Sequence, residues 1–298
     1  MRSLPIVAIG SSVLLTAASS LAGTPMLADA ERRQLIHSLE QACAKPNWVG
    51  IHAAEALIVL GHPDPVRRAF ESQAESTEPR YRIGVWRVLA RCTAEASRAA
   101  FTARIRAVLL DERAPDRVHA LEALAKLAAP IQPGDERRAV TAMPQDPAVA
   151  PFALWRSSQE GDPNAGQILM ILSANPNDVA RARAAYVIAR LPDVRTAAAP
   201  VLAAALAKEP ADSPAHAALA AATGREGSRQ LISSARTPAA RYTAATALAE
   251  DGTPADRDVL GPLLADPDDD VRVAAAFALL SIDARKTRTP APATRPRN

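Results

Sequence analysis

Aromatic residues are scarce in this 298-residue chain: four Phe, three Tyr and three Trp make up 3% of it. A β-sandwich or barrel of this size would draw on Tyr, Phe, Val and Ile to fill pleated faces, so the scarcity argues against a sheet protein. There are two cysteines, Cys43 and Cys92, and no His pattern to accompany them, which excludes a zinc ribbon or finger. Glycine is also thin, at 12, and no Gly-rich phosphate loop, HExxH pair or Gly-x-Ser-x-Gly elbow occurs. No His is followed by Glu. These absences remove the common metal, nucleotide and serine-hydrolase chemistries, and the expectation is a protein that is no enzyme and holds no cofactor or metal.

What is abundant is Ala, together with 25 Pro spread as punctuation. The segment Asp270-Val271-Arg272-Val273-Ala274-Ala275-Ala276-Phe277-Ala278-Leu279-Leu280 is one copy of a pattern that recurs through the chain. Its anchors are Leu57, Leu89, Leu124, Leu154, Ile188, Leu219, Leu248 and Leu279, spaced about 32 residues apart. A fixed period in this range marks stacked supersecondary units, not a domain with one centre. One residue before each anchor, and four before, stand Ala or Val, such as Ala53 and Ala56 or Ala244 and Ala247. At 100° per residue these lie on one stripe with the anchor, and small side chains there let a second helix approach closely. Each repeat thus ends in a packed helix B, preceded by a helix A. The A helices are expected near 30–44, 65–73, 94–110, 135–142, 164–173, 197–208, 228–235 and 255–265. Junctions such as His62-Pro63-Asp64-Pro65 and Asn175-Pro176-Asn177-Asp178 combine a helix stop with a cap. Pro147 and Pro151 make the fourth B helix the weakest, with a kink expected there.

The +3 net charge belongs to the chain's end. Five bases and no acid lie in 284–298, and Arg2 alone in 1–22, so the body between them carries 29 bases against 32 acids. A mildly acidic body argues against nucleic acid as partner. Residues 1–22 read as an export signal, with Arg2 followed by the apolar run Ile6 to Ala18 and small residues at Ser20 and Ala22. The expected location is the periplasm or the exterior, with no membrane span once the signal is cleaved. The organisation is a signal over 1–22, a repeat array over 30–283 and a basic, disordered tail over 284–298. Export would permit a disulfide between Cys43 and Cys92; Cys92 also occupies a core slot, where a buried thiol packs as a small hydrophobe.

The copies Asp270-Val271-Arg272-Val273-Ala274-Ala275, Asn177-Asp178-Val179-Ala180-Arg181 and Arg117-Val118-His119-Ala120-Leu121-Glu122-Ala123-Leu124 resemble HEAT repeats of the short, roughly thirty-residue type. Ile51-His52-Ala53-Ala54-Glu55-Ala56-Leu57 and the stretch from Tyr81 to Ala90 also resemble a bacterial HEAT-like group associated with sodium:solute symporters. The resemblance implies an all-α, right-handed α-solenoid of about eight helix pairs that serves as an interaction scaffold. It also implies a packing role for the Arg found seven residues before five anchors: Arg82, Arg117, Arg181, Arg241 and Arg272. The alternatives it leaves are a HEAT-like enzyme, bilin lyase-like or DNA-glycosylase-like, and a symporter partner.

Positions five before, two before and two after each anchor face away from the packed stripe. In repeats two to five they include Arg87, Arg91, Lys126, Phe152, Arg156, Arg183, Tyr186 and Arg190. These eight are the expected binding residues. They form a concave wall of bases with two aromatics, suited to a protein, an acidic peptide or an anionic glycan. His52 and His119 occupy equivalent positions two repeats apart and are expected as surface residues. Trp86 falls in the packed stripe, whereas Trp48 and Trp155 suit either a repeat junction or a ligand contact.

Overall fold

The computed structural model describes residues 26–287, and these are all-α. Sixteen α-helices follow one another: α1 Asp29–Cys43, α2 Trp48–Val59, α3 Pro63–Phe70, α4 Tyr81–Cys92, α5 Glu95–Leu110, α6 Arg117–Lys126, α7 Asp135–Ala142 and α8 Ala150–Gln159. The second half continues with α9 Ala165–Leu172, α10 Asp178–Ile188, α11 Pro192–Leu206, α12 Pro214–Ala222, α13 Arg225–Ser234, α14 Pro238–Asp251, α15 Arg257–Leu260 and α16 Asp269–Thr287. Short 3₁₀ turns extend α3 and α7 and flank α15. The expected export signal and residues 288–298 lie outside the described residues. Among those described, no helix is long and apolar enough to cross a membrane.

Every anchor sits in an even-numbered helix and is at most 3% exposed. The Ala stripe beside it is equally buried: Ala53, Ala120, Ala153, Ala184, Ala215, Ala244 and Ala275 are all at or near zero exposure. Caps begin several of these helices where the junctions predict them. Asn47 accepts from Gly50 N, Asn177 from Ala180 N, Ser213 from His216 N and Thr237 from Ala240 N. Three even helices end in one left-handed turn, in which the residue at positive φ is Gly61 after α2, Ala128 after α6 and Gly161 after α8. The backbone bonds His62 N to Leu57 O, Ala129 N to Leu124 O and Asp162 N to Ser157 O close it.

Two local expectations are corrected. α11 begins at Pro192, five residues before the expected 197, because a proline in the first turn has its φ preset and no N–H to satisfy. Its second proline, Pro200, lies on the exposed side, where water can meet the carbonyl it leaves unbonded. Pro151 does not kink α8; it stands in the helix's first turn and starts it.

Each even helix packs against the next even helix in line, and α16, the last, packs against both α2 and α1. The line of inner helices therefore returns on itself. Its seam is polar. Asp283 on α16 accepts from Met26 N, Leu27 N and both Nε and Nη2 of Arg32. Arg257 bonds both oxygens of Glu31 at 2.9 Å and the Met26 carbonyl. Lys45 pairs with Asp269, and His52 with Asp270 at 2.8 Å. The helical body also runs past the expected boundary at 283. Ala284 to Thr287 continue α16, and Arg285 donates to the carbonyls of Ala249 and Gly252. A basic residue near a helix C-terminus that finds carbonyls in the adjacent turn belongs to the fold, not to a tail.

The Arg column starting the even helices forms the structural ladder expected of it. Arg82 clasps Asp116 with Nε and Nη2, and Arg241 does the same to Asp266. Arg117 donates to the Leu109 carbonyl, and Arg181 to Glu209, Asp178 and the Asn175 carbonyl. Arg272 donates to the Asp266 carbonyl and pairs with Asp269. Arg82, Arg181 and Arg241 tie one junction to the next by charge-assisted bonds, while Arg117 and Arg272 brace the turn before their own helix.

Candidate functional site

Inside the circuit of even helices lies a cavity of about 660 Å³. The three outward offsets predict most of its lining. The position five before the anchor gives His52, Arg183, Thr243 and Ala274. Two before gives Glu55, Glu122, Phe152, Tyr186, Thr246 and Phe277, and two after gives Val59, Arg91, Lys126, Arg190, Ala221 and Glu250. Three layers of side chains along parallel helices thus line one space. At the level of the last turns, Val59, Arg91 and Glu250 are exposed, which marks the open end.

The other end is closed by rings. Trp48 lies 6.0 Å from the His52 ring and 6.2 Å from the His119 ring, and His52 lies 4.8 Å from Tyr242. His52 and His119 are therefore half-buried against Trp48, and only His52 lines the cavity. Asp270 holds His52 by Nδ1 at 2.8 Å. A carboxylate on one ring nitrogen fixes the imidazole's orientation and leaves Nε2 for a group in the cavity. Tyr242 is pushed up from its ordinary value by burial and by the negative charge of Glu55, so its hydroxyl stays protonated.

The charged wall runs from α2 to α10. Glu122 accepts from Lys126 at 3.0 Å and from the Tyr186 hydroxyl at 3.2 Å, bridging α6 to α10. Burial opposes ionisation of both Glu122 and Glu55, but neighbouring cations outweigh it. Lys126, His119 and Arg87 hold Glu122 well below the usual carboxylate range, and Arg87, Lys126, His52 and Arg91 bring Glu55 down to about 2. Lys126 is raised in turn, since Glu122 and Tyr186 more than offset its desolvation. Glu55, Glu122, Arg87 and Lys126 stay ionised at neutral pH and neutralise one another.

Three arginines on this wall have no carboxylate at ion-pair distance, although Glu55 acts on Arg91 and Glu122 on Arg183 from farther off. Arg91 is exposed at the mouth and makes no ion pair or hydrogen bond among the described residues. Arg190 donates to the Tyr186 carbonyl, and its guanidinium carbon stands 3.6 Å from the Tyr186 ring centroid. Arg183 donates to the Ala148 carbonyl and lies 5.4 Å from the Phe152 ring. Burial lowers Arg183 from the ordinary guanidinium value, with Glu122 and Asp146 opposing. The rings beneath them pack edge to face: Phe152 and Trp155 each lie 6.2 Å from Tyr186.

Six of the eight expected binding residues, Arg91, Lys126, Phe152, Arg183, Tyr186 and Arg190, are brought together here. Arg87 and Arg156 are not. Arg87 is 4% exposed and spends its Nε on Glu55 at 2.8 Å, across the α2–α4 junction. Arg156 is 1% exposed and bonds Glu136 of α7 at 2.7 Å and the Ala129 carbonyl in the turn after α6. α8 starts at Ala150, only four residues before its anchor, and Trp155, the residue before Arg156, lines the cavity instead. Trp86 is core, with Nε1 bonded to the Ala74 carbonyl.

Applied to the first and the last repeats, the same offsets find His52, Glu55, Thr243, Thr246, Glu250 and Phe277. Tyr242, Trp155 and Arg195 fall outside any of the three offsets; the sequence leaves Trp155 open between a repeat junction and a ligand contact, and no sequence signal points to Tyr242 or Arg195. Arg195 comes from an odd helix, α11, and pairs with Asp251 at the rim. Cys43 and Cys92 are both free and buried. Among the described residues no group of three or more potential metal ligands occurs. Comparison with known proteins finds no matching family model, no matching curated protein and no matching solved structure.

Proposed function

We propose that the protein is a non-catalytic binding module that takes a small anionic ligand into the cavity enclosed by its inner helices. In this reading the helix pairs are eight HEAT-like repeats, wound as a right-handed α-solenoid whose ends meet. The observation that carries the reading is the set of three arginines facing one cavity with no carboxylate at ion-pair distance: Arg183 and Arg190, half-buried over aromatic rings, and Arg91 exposed at the mouth. A half-desolvated guanidinium gains most from an anion that supplies the missing counter-charge. The cavity's volume falls within the range of about 300 to 1,000 Å³ typical of small-molecule sites.

Closure narrows the choice of partner. An open superhelix offers a long concave groove to a folded protein, whereas the closed circuit admits a small molecule, a short glycan or a chain end. The acidic body weighs against nucleic acid, and the apolar run Ile6 to Ala18 supports export. A second reading, an acid–base enzyme, has one observation in its favour: His52 oriented by Asp270 at the cavity floor.

The test is thermal stabilisation at constant ionic strength by inorganic phosphate, citrate and a hexuronate, set against organic cations of matched size. Anions should raise the melting temperature of the wild type and leave an R91Q/R183Q/R190Q variant unmoved, its helical content being checked by circular dichroism. Equal stabilisation by the cations, or none by any anion, would overturn the reading. Turnover of a bound ester that His52→Gln abolishes would favour the enzyme.

A further inference from the structure

The two halves of the cavity wall are unlike. Large charged and aromatic side chains come from α2 to α10. The opposite half, from α12, α14 and α16, presents Ala218, Ala221, Ala247, Val273 and Phe277. Part of the room inside comes from Ala221 and Ala274, which stand where other inner helices carry Arg91, Lys126 and Arg190, or Arg183. Two threonines and Tyr242 share this wall; Tyr242 lies at its ring-lined end beside His52, and neither threonine offers a free donor. The Thr243 hydroxyl donates to the Ala239 carbonyl and the Thr246 hydroxyl to the Tyr242 carbonyl, each at 2.9 Å and each within its own helix. Their methyl groups complete an apolar surface, and carboxylates return only at the rim, with Glu250 and Asp251.

A hydrophilic anion such as phosphate or a sugar acid fits the arginine side and leaves this smooth surface against water. A neutral apolar ligand covers the surface and leaves three guanidinium groups without counter-charge. One ligand class satisfies both halves together. We infer that the ligand is an amphiphilic anion, a carboxylate or sulfonate head on an apolar body, with the head among Arg183, Arg190 and Arg91 and the body against the α12–α14–α16 wall. This deepens the reading of the cavity as an anion site and rests on it.

A chain-length series tests it. Acetate, butanoate, hexanoate and octanoate are titrated below their micellar concentrations in competition with anilinonaphthalene sulfonate, whose fluorescence reports the cavity. Burial of each added methylene should tighten binding about fourfold, so octanoate should exceed butanoate by roughly two orders of magnitude. Ala247→Leu fills the apolar wall and should flatten the series, while stabilisation by citrate persists. Thr246→Val adds apolar surface without added bulk and should strengthen octanoate alone, which keeps the test decisive if the leucine variant does not fold. Preference for the naphthyl sulfonate over octanoate would assign the body as aromatic; the reverse order would assign it as linear. A wild-type series flat from acetate to octanoate overturns the amphiphile while leaving the anion site standing. Octylamine binding as tightly as octanoate overturns both.

Discussion

Replacing Asp283 with alanine should open the seam where the last helix meets the first. The carboxylate is 2% exposed and accepts four hydrogen bonds, from Met26 N at 2.8 Å, Leu27 N at 3.0 Å, and Arg32 Nε and Nη2 at 3.0 and 2.7 Å. Bonds to a charged acceptor contribute about 1.5 kcal/mol or more each, so the two backbone donors account for about 3 kcal/mol. Arg32 is nearly a third exposed, and its contribution is held to about 1 kcal/mol. A loss of about 4 kcal/mol corresponds to a fall of roughly 10 °C in melting temperature if the chain unfolds as one unit. Hydrogen exchange separates local from global loss. Amides of α1 and α2 should exchange faster in the variant, while those of α8 and α10, half a circuit away, keep their protection. The pH dependence supplies a second check. Burial tends to raise the Asp283 pKa, but the Arg32 bonds and the two N–H groups prevail and lower it below the unfolded value of about 3.9. The stabilisation is thus complete above the unfolded value and fades as pH falls through the lower folded one. Wild type and variant should therefore differ at neutral pH and converge in acid. Unchanged α1 protection, with a melting temperature within about 2 °C of wild type, would show that Asp283 does not hold the seam.

Arg156→Ala should destabilise by about 3 kcal/mol in urea titration, because it strips one cation from a buried Glu136 that keeps only Arg106 and the Gln132 N–H; a loss under about 1 kcal/mol would refute this. Ala128, at φ 48°, stands in the left-handed position that Gly61 and Gly161 fill in equivalent turns. Ala128→Gly should accordingly stabilise by about 0.5 kcal/mol, the relieved strain exceeding the entropy that glycine adds to the unfolded chain, and a lower melting temperature would contradict it. Burial pushes the Cys43 thiol up to about 12 and the Cys92 thiol to about 11. Both should resist an aromatic disulfide reagent at pH 8 until urea is added, and rapid modification of the folded protein would show that the thiols are accessible.

The helix pairs were readable because each anchor, its Ala neighbours and its Arg seven residues earlier are local signals, repeated at a fixed period. Alanine four positions before Leu57 or Leu248, at Ala53 and Ala244, is fully buried and marks a face pressed against another helix, whereas Ala247, one before Leu248, opens onto the cavity. The same period identified which face of each even helix looks inward, and so found Arg91, Lys126, Arg183, Tyr186 and Arg190. It failed at Arg87 and Arg156 because facing is not exposure. Long side chains at inward positions reach sideways when an acid lies on the adjacent helix, and Glu55 and Glu136 are visible only once the helices are packed.

By itself the sequence determined the all-helical composition, the bounds of most helices, their caps and the ladder of arginines, since each rests on interactions within roughly thirty residues. Tertiary structure alone decided that the line of inner helices returns on itself. That outcome depends on the small rotation between neighbouring pairs summed over the whole stack, and no local pattern carries such a sum. Only closure brings Asp283 to Arg32 across 251 positions of chain, turns His52 toward Tyr242, and sets the alanines of α12, α14 and α16 opposite the arginines of α4 and α10. The cavity is a consequence of that meeting: small residues leave a space only when large ones face them from the other side.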